Sequence, residues 1–350
     1  MGNPYTRLLY EGVERHGVVV KDFSPARALR GGYDLWHVHW PEDFLSYPSA
    51  LMAAVYVVAE LLLMALARCR GTRVVWTIHD LGPHDSHHPW LEALFWPLFL
   101  PMVDGYITLS EHAREQAQKQ FPILQTVPGA VVPHGHYRPA YPAPVSQAQA
   151  RKEWEMPEDA PVAAYIGRIR PYKNVDALLR AFRAVDASEA RLLVAGNPTS
   201  EHLAEQIRTA AGADSRIQLA LRFIPEDEMP SVLAAADLVV LPYDDILHSG
   251  SALLSLSFNR PVLVPERGAM TELRADVGEE WVYTYTGTLT AGDVNATLRA
   301  ARRDDRPAQA PLDHLDWDVL AGQTVALYER VLSRPETKTR TGSSSDSERP

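Results

Sequence analysis

Apolar runs with strand character alternate with segments of helical spacing almost from one end of the chain to the other. This alternation confines the fold to parallel β-sheets covered by helices on both faces. In the first half, Val18-Val19-Val20, Leu35-Trp36-His37-Val38, Val74-Val75-Trp76-Thr77-Ile78, Gly105-Tyr106-Ile107-Thr108-Leu109 and Val131-Val132 read as strands. In the second half strands are expected at 162–166, 191–195, 217–221, 238–241, 262–264 and 281–283, with helices at 176–185, 201–211, 226–236 and 251–258. The stretch Pro139-Ala140-Tyr141-Pro142-Ala143-Pro144 favours an extended connector and divides the chain into domains 1–140 and 141–317. A last helix, 318–332, is expected to pack back across the two halves. Residues 333–350, rich in Ser, Thr, Arg and Pro, are expected to form a disordered tail. The helical pattern at 5–16 would ordinarily follow a first strand, yet only Met1 to Pro4 precede it, so either that strand is missing or the start is late.

The chain of 350 residues is long enough for two domains, and 46% hydrophobic with 22% charged residues describes a soluble globular protein. A net charge of −10 argues against nonspecific nucleic-acid binding, which needs a cationic field, so any basic site is local. The single cysteine, Cys69, excludes an internal disulfide and a multi-cysteine metal cluster and fits a reducing compartment. With no secretory signal pattern at the N-terminus, a cytoplasmic location is expected. Residues 50–67 are nearly all apolar, broken only by Glu60 and followed by Arg68 and Arg70. Their length sits at the lower limit of the roughly 17–25 residues that span a bilayer. The central Glu60 and the flanking strands favour a buried helix packed on a sheet, with peripheral docking at the inner face of a membrane left open.

The segment Tyr165-Ile166-Gly167-Arg168-Ile169-Arg170-Pro171-Tyr172-Lys173-Asn174 sets a glycine turn and several cations between a strand and a helix. An anion there would meet the positive end of a helix, the planar fork of Arg168 and the point charge of Lys173. Ser249-Gly250-Ser251 opens a second helix at the end of another strand. Ser249 can cap it, Gly250 allows close backbone approach, and the amides of Ser251 and Ala252 would face a phosphate oxygen. Both elements fall at the carboxyl edge of one sheet, where open α/β sheets bind ligands. In the first half, Leu35-Trp36-His37-Val38-His39-Trp40-Pro41-Glu42 and Trp76-Thr77-Ile78-His79-Asp80 end strands with histidines and carboxylates at the corresponding edge. His84-Asp85-Ser86-His87-His88 lacks the helical histidine spacing of a zinc site and reads as a loop lining the cleft, so no metal is expected.

The order of these motifs resembles that of the GT-B glycosyltransferases, group 1 or family 4-like, of bacterial polysaccharide or glycoconjugate type. The likeness covers most of the chain. It rests on Gly167-Arg168 with Lys173, Leu193-Val194-Ala195-Gly196, Ala234-Ala235-Ala236-Asp237-Leu238-Val239-Val240-Leu241-Pro242, the 249–251 turn and Arg260-Pro261-Val262-Leu263-Val264. The resemblance implies two facing Rossmann-like α/β domains and a nucleotide diphosphate sugar, GDP- or UDP-linked with a lean to GDP-mannose. The acceptor would be a glycan, a lipid-linked sugar or a small molecule, and no cofactor would be needed. It places Gly167, Gly196, Ser249, Gly250, Ser251, Ala252 and Glu272 on the donor, and has Arg168 and Lys173 neutralise its diphosphate. His79 would approach the donor sugar. Trp40, Glu42 and His84 would lie on the acceptor side, and Asp80 or His39 would serve as base if the reaction inverts. One departure is clear: two glutamates of the family's retaining branch fall at Ile246 and Leu254. That leaves two alternatives: a nucleotide-sugar epimerase of the same fold, or a catalytically silent nucleotide-sugar-binding protein.

Overall fold

The computed structural model describes residues 4–82, 87–142, 145–244, 247–303 and 305–334. Its first sheet holds β1 (Leu35–His39), β2 (Arg73–Ile78), β3 (Gly105–Thr108) and β4 (Gly129–Val131), all parallel and in sequence order. The second holds β5 (Val162–Ile166), β6 (Arg191–Ala195), β7 (Ile217–Ala220), β8 (Leu238–Val240), β9 (Val262–Pro265) and β10 (Val282–Tyr285), ordered β10-β9-β8-β5-β6-β7 and again parallel. The strand order therefore reverses between β5 and β8, which opens a crevice beyond their carboxyl ends. The loop carrying Lys173 leaves β5, and the loop leading to Ser249 leaves β8.

Both faces of β5 are covered, and Val162, Ala163, Ala164, Tyr165 and Ile166 are fully buried, as expected of an apolar run without alternation. Asp237 pins the other end of this strand: it accepts the amide of Val162 at 2.8 Å and holds the Arg151 guanidinium through two bonds of 2.9 Å. The first domain has two cores. One lies under the helices Ala50–Arg68 and Pro89–Phe99 around Trp76 and Phe99. In the other, Tyr5, Leu8, Leu9 and Val13 of the helix Pro4–Arg15 meet Trp317, Leu320, Ala321 and Val331 of the last helix, Trp317–Leu332, over Val75 and Ile107. A Cβ at Gly12 would stand 2.8 Å from the Ala321 Cβ and 2.9 Å from the Trp317 carbonyl oxygen, so these two helices cross where only a glycine fits.

Two expectations are corrected. Val18-Val19-Val20 is not a strand: the first sheet ends at β1, no neighbour among the described residues pairs with this stretch, and Val19 is exposed. The helix Ala50–Arg68 does lie against the first domain, but only 28% of its most apolar 18-residue window is buried, so it is not an enclosed core helix. The expected tail lies outside the described residues beyond Arg334.

Candidate functional site

The donor-side loops are built around contacts that admit only glycine. Gly167 follows β5 with φ 131°, and a Cβ on it would meet Ser251 Oγ at 2.8 Å. A Cβ on Gly196 would fall 1.9 Å from the Gly167 carbonyl oxygen, so the ends of β5 and β6 meet backbone to backbone, and the Ser251 side chain at the start of the helix Gly250–Ser257 packs against Gly167. Ser249 caps this helix: its hydroxyl accepts the Ala252 amide at 3.1 Å, a contact worth about 1 kcal/mol to the helix end. That bond corrects one expectation. The Ala252 amide is already satisfied by the cap, which leaves Gly250 and Ser251 as the first-turn donors at the edge of the crevice.

Lys173 sits in the short turn Pro171–Lys173, where its ammonium donates to the Tyr243 hydroxyl at 3.3 Å and stands 4.7 Å over the Tyr243 ring and 5.9 Å from that of Tyr172. Burial works against this charge, yet the two tyrosines outweigh it and raise the pKa above the usual lysine value. Asn174, in the left-handed conformation at φ 51°, donates to Asp244 Oδ1 at 2.8 Å, and the Asp244 amide donates to the Tyr172 carbonyl at 2.9 Å. These bonds tie the β5 and β8 loops together and fix Lys173 beside Ser249.

A cavity of about 740 Å³ opens between the domains, within the usual range for small-molecule sites. Lys173, Tyr172, Ser249 and Gly250 line it from the second domain, and Asp80, Leu81 and Gly82 at the end of β2 line it from the first. Arg168 is exposed and not among the lining residues. The sequence reading missed Tyr243, His248 and Arg267, which also line the cavity. His248 and Arg267 directly precede Ser249 and Gly268, and that adjacency to the turn glycines and the cap was the available signal.

On the first-domain side the histidines form a buried network. His39 Nδ1 lies 2.9 Å from His79 Nε2, and His39 Nε2 lies 2.9 Å from the Tyr10 hydroxyl. Trp40 adopts a left-handed backbone, φ 47°, and stacks on His79 with ring centroids 4.1 Å apart. His37 bridges the Tyr328 hydroxyl and Thr77 Oγ1 at 2.6 Å each, and His134 bonds the Tyr137 hydroxyl at 3.1 Å and donates to the Gly135 carbonyl at 2.8 Å. Both ring nitrogens of His39 are therefore engaged, and burial lowers its pKa to about 3. This corrects the expectation that it is available as a base. His79 is buried beneath Trp40, and its pKa is depressed by burial first and by its histidine neighbours second. Glu42 is buried with its pKa raised by burial, Asp80 adding to the effect, and Glu60 is pushed up to about 8 by burial and Asp43.

These shifts give stability a defined pH profile. Below the ordinary histidine pKa of 6.5, the unfolded chain protonates His37, His39, His79 and His134, which burial keeps neutral in the folded protein. Each such proton costs ~1.4 kcal/mol per pH unit. Glu60 acts in the opposite sense from about pH 8 down to 4.5, where the folded state holds a proton that the unfolded chain releases, and Glu42, whose carboxyl burial also raises, acts in the same sense above 4.5. From these six groups the melting temperature is expected to peak near neutrality, fall below pH 6.5 and fall more steeply below 4.5. A melting temperature unchanged between pH 6.5 and 4.5 contradicts this account.

Glu272 reaches across the domains: its Oε2 accepts the Glu111 amide at 2.9 Å and its Oε1 the His112 amide at 2.6 Å, at the start of the helix Glu111–Gln120. Both oxygens are committed to that helix end and not to a donor sugar. Leu254 is buried in the second core, while Ile246 and His84 lie outside the described residues. Among the described residues no group of three or more His, Cys, Asp or Glu could hold a metal ion.

Two parallel α/β domains with a crevice between them make up the GT-B fold. The catalytic domain of Arabidopsis thaliana starch synthase IV superposes over 95% of this chain and 79% of its own, with a TM-score of 0.59 at 14% identity. Anabaena Alr3699/HepE covers 95% and 88%, with a TM-score of 0.58 at 17% identity. Residues 160–303 match the family model "Glycosyl transferases group 1". Over 333 residues the chain is 32% identical to the GDP-mannose:glycolipid 4-beta-D-mannosyltransferase of Xanthomonas campestris pv. campestris, spanning 95% of this chain and 89% of that protein. The chain belongs to the group 1 glycosyl transferases.

Proposed function

We propose that the protein transfers mannose from GDP-mannose to a sugar of a glycolipid, with Asp80 as the base. The observation that carries this reading is the shared cavity, in which Lys173 and the Ser249–Gly250 turn of one domain face Asp80 of the other. The ammonium and the first-turn amides hold the diphosphate and its growing charge as the glycosidic bond breaks. Asp80 takes the proton of the acceptor hydroxyl, and closure of the domains excludes water. The similarity to a GDP-mannose:glycolipid 4-beta-D-mannosyltransferase supports the donor, the acceptor class and the β linkage. GDP-mannose is an α-anomer, so a β product requires inversion, and inversion requires a base.

Thermal shift tests the donor. GDP at a hundred times its dissociation constant stabilises the native state by ~2.7 kcal/mol and should raise the melting temperature by several degrees, with UDP and ADP at equal concentration giving less. An equal response to all three, or none, counts against the donor assignment. With donor and a glycolipid extract supplied together, a mannosylated lipid is the expected product.

A further inference from the structure

The helix Ala50–Arg68 is amphipathic the wrong way round for a water-facing element. Ala53, Val57, Glu60, Met64 and Ala67 share the face turned to the domain, so the one acidic residue of the helix points inward. Leu51, Val55, Val58, Leu62 and Leu66, at spacings of three and four, form the outer face, and Leu51 is 75% and Leu62 58% exposed. The neighbouring helix Pro89–Phe99 extends this surface with Trp90, Leu94 and Leu98, each more than half exposed. So broad an apolar surface marks an interaction site.

Its surroundings identify the occupant. The short helix Pro25–Leu29 lies against Ala50–Arg68, and that end presents Lys21, Arg27, Arg30 and Arg70, all exposed and without an acidic partner among the described residues. Asp22 and Asp34 are the nearby acids in sequence, so the edge remains net cationic in a chain of net charge −10. At the opposite end Phe44, Tyr47 and Tyr56 stack on one another, with Tyr47 and Tyr56 partly exposed, as rings placed between water and hydrocarbon are. An apolar helical face with a cationic edge and an aromatic rim complements a bilayer with acidic headgroups.

We infer that this face docks the protein on an anionic lipid surface, with the helix Ala50–Arg68 lying in the interface plane. The turn Pro41–Ser46 joins the aromatic rim to Trp40, whose ring stacks on His79 next to the cavity-lining Asp80, so the docking face connects to the first-domain wall of the cleft. The use of this connection rests on the proposed glycolipid acceptor, whose lipid would stay in the bilayer while its sugar enters the cleft; the docking itself does not.

The test is flotation of the full chain with vesicles of phosphatidylglycerol and phosphatidylcholine, beside vesicles of phosphatidylcholine alone. The expected result is association with the acidic vesicles. Val55→Ser/Leu62→Ser should weaken it at least tenfold, and Arg27→Glu/Arg30→Glu should weaken it and remove most of its salt dependence. All four positions are exposed, so melting temperature and the GDP-induced thermal shift should be unchanged, which separates a docking failure from a failure of the donor assignment. The inference is overturned if the wild type does not float, or if Val55→Ser/Leu62→Ser floats as the wild type does. It is also overturned if this face proves to be the interface of a dimer that those substitutions dissociate.

Discussion

Replacing Lys173 by alanine is expected to lower turnover about a hundred- to a thousandfold, the usual cost of removing one preorganised donor from a developing negative charge. Lys173, with Arg267, is one of two cations that the second domain brings into the cavity, and its ammonium is held against the Tyr243 hydroxyl and ring. The leaving diphosphate carries more charge in the transition state than in the bound donor, so kcat should fall further than KM rises. The side chain is half-buried and makes no bond to the sheet, so the melting temperature should stay close to that of the wild type. Turnover within a few-fold of wild type would remove the ammonium from the chemistry and sink the placement of the diphosphate.

The second large effect is expected at Asp80. Asp80→Asn keeps the shape of the side chain and removes its capacity to take a proton, and a general base typically contributes 10²- to 10⁴-fold. A loss of that order in kcat should come with unchanged GDP binding, because Asp80 lines the cavity from the domain opposite Lys173 and Ser249. His39 does not offer a substitute, since Tyr10 and His79 occupy its two nitrogens. A fully active Asp80→Asn variant, assayed by mannose transfer to glycolipid, would show that the proton leaves by another route.

The parts of the site that sequence reveals are those set by local chemistry. Gly167 follows an apolar run and Ser249 precedes a helix, and each does what its residue type requires: one bends the chain at positive φ, the other caps. The strands β5, β8 and β9 are legible because both of their faces are covered, so the runs are uniformly apolar. Long-range convergence was not. Tyr10, His39 and His79 are brought together by three separate elements, and no spacing rule announces that Tyr10 would block a ring nitrogen of His39. Val18-Val19-Val20 has strand composition without a partner, and pairing decides. In residues 50–67 almost every side chain is apolar, so no polar stripe in the sequence distinguishes the covered side from the uncovered one. Glu60, pointing inward, gives the opposite hint.

The carboxylate of Glu272 clasps the amides of Glu111 and His112, whose helix also lends His112 to the cavity wall. Any hinge motion that widens the crevice at this point pulls those two bonds apart and hands a half-exposed anion and the Glu111 and His112 amides back to water, while Ser110 still caps the Ala113 amide. The reach of one glutamate side chain thus sets how far the two lobes can part at this point before its grip on the helix is lost.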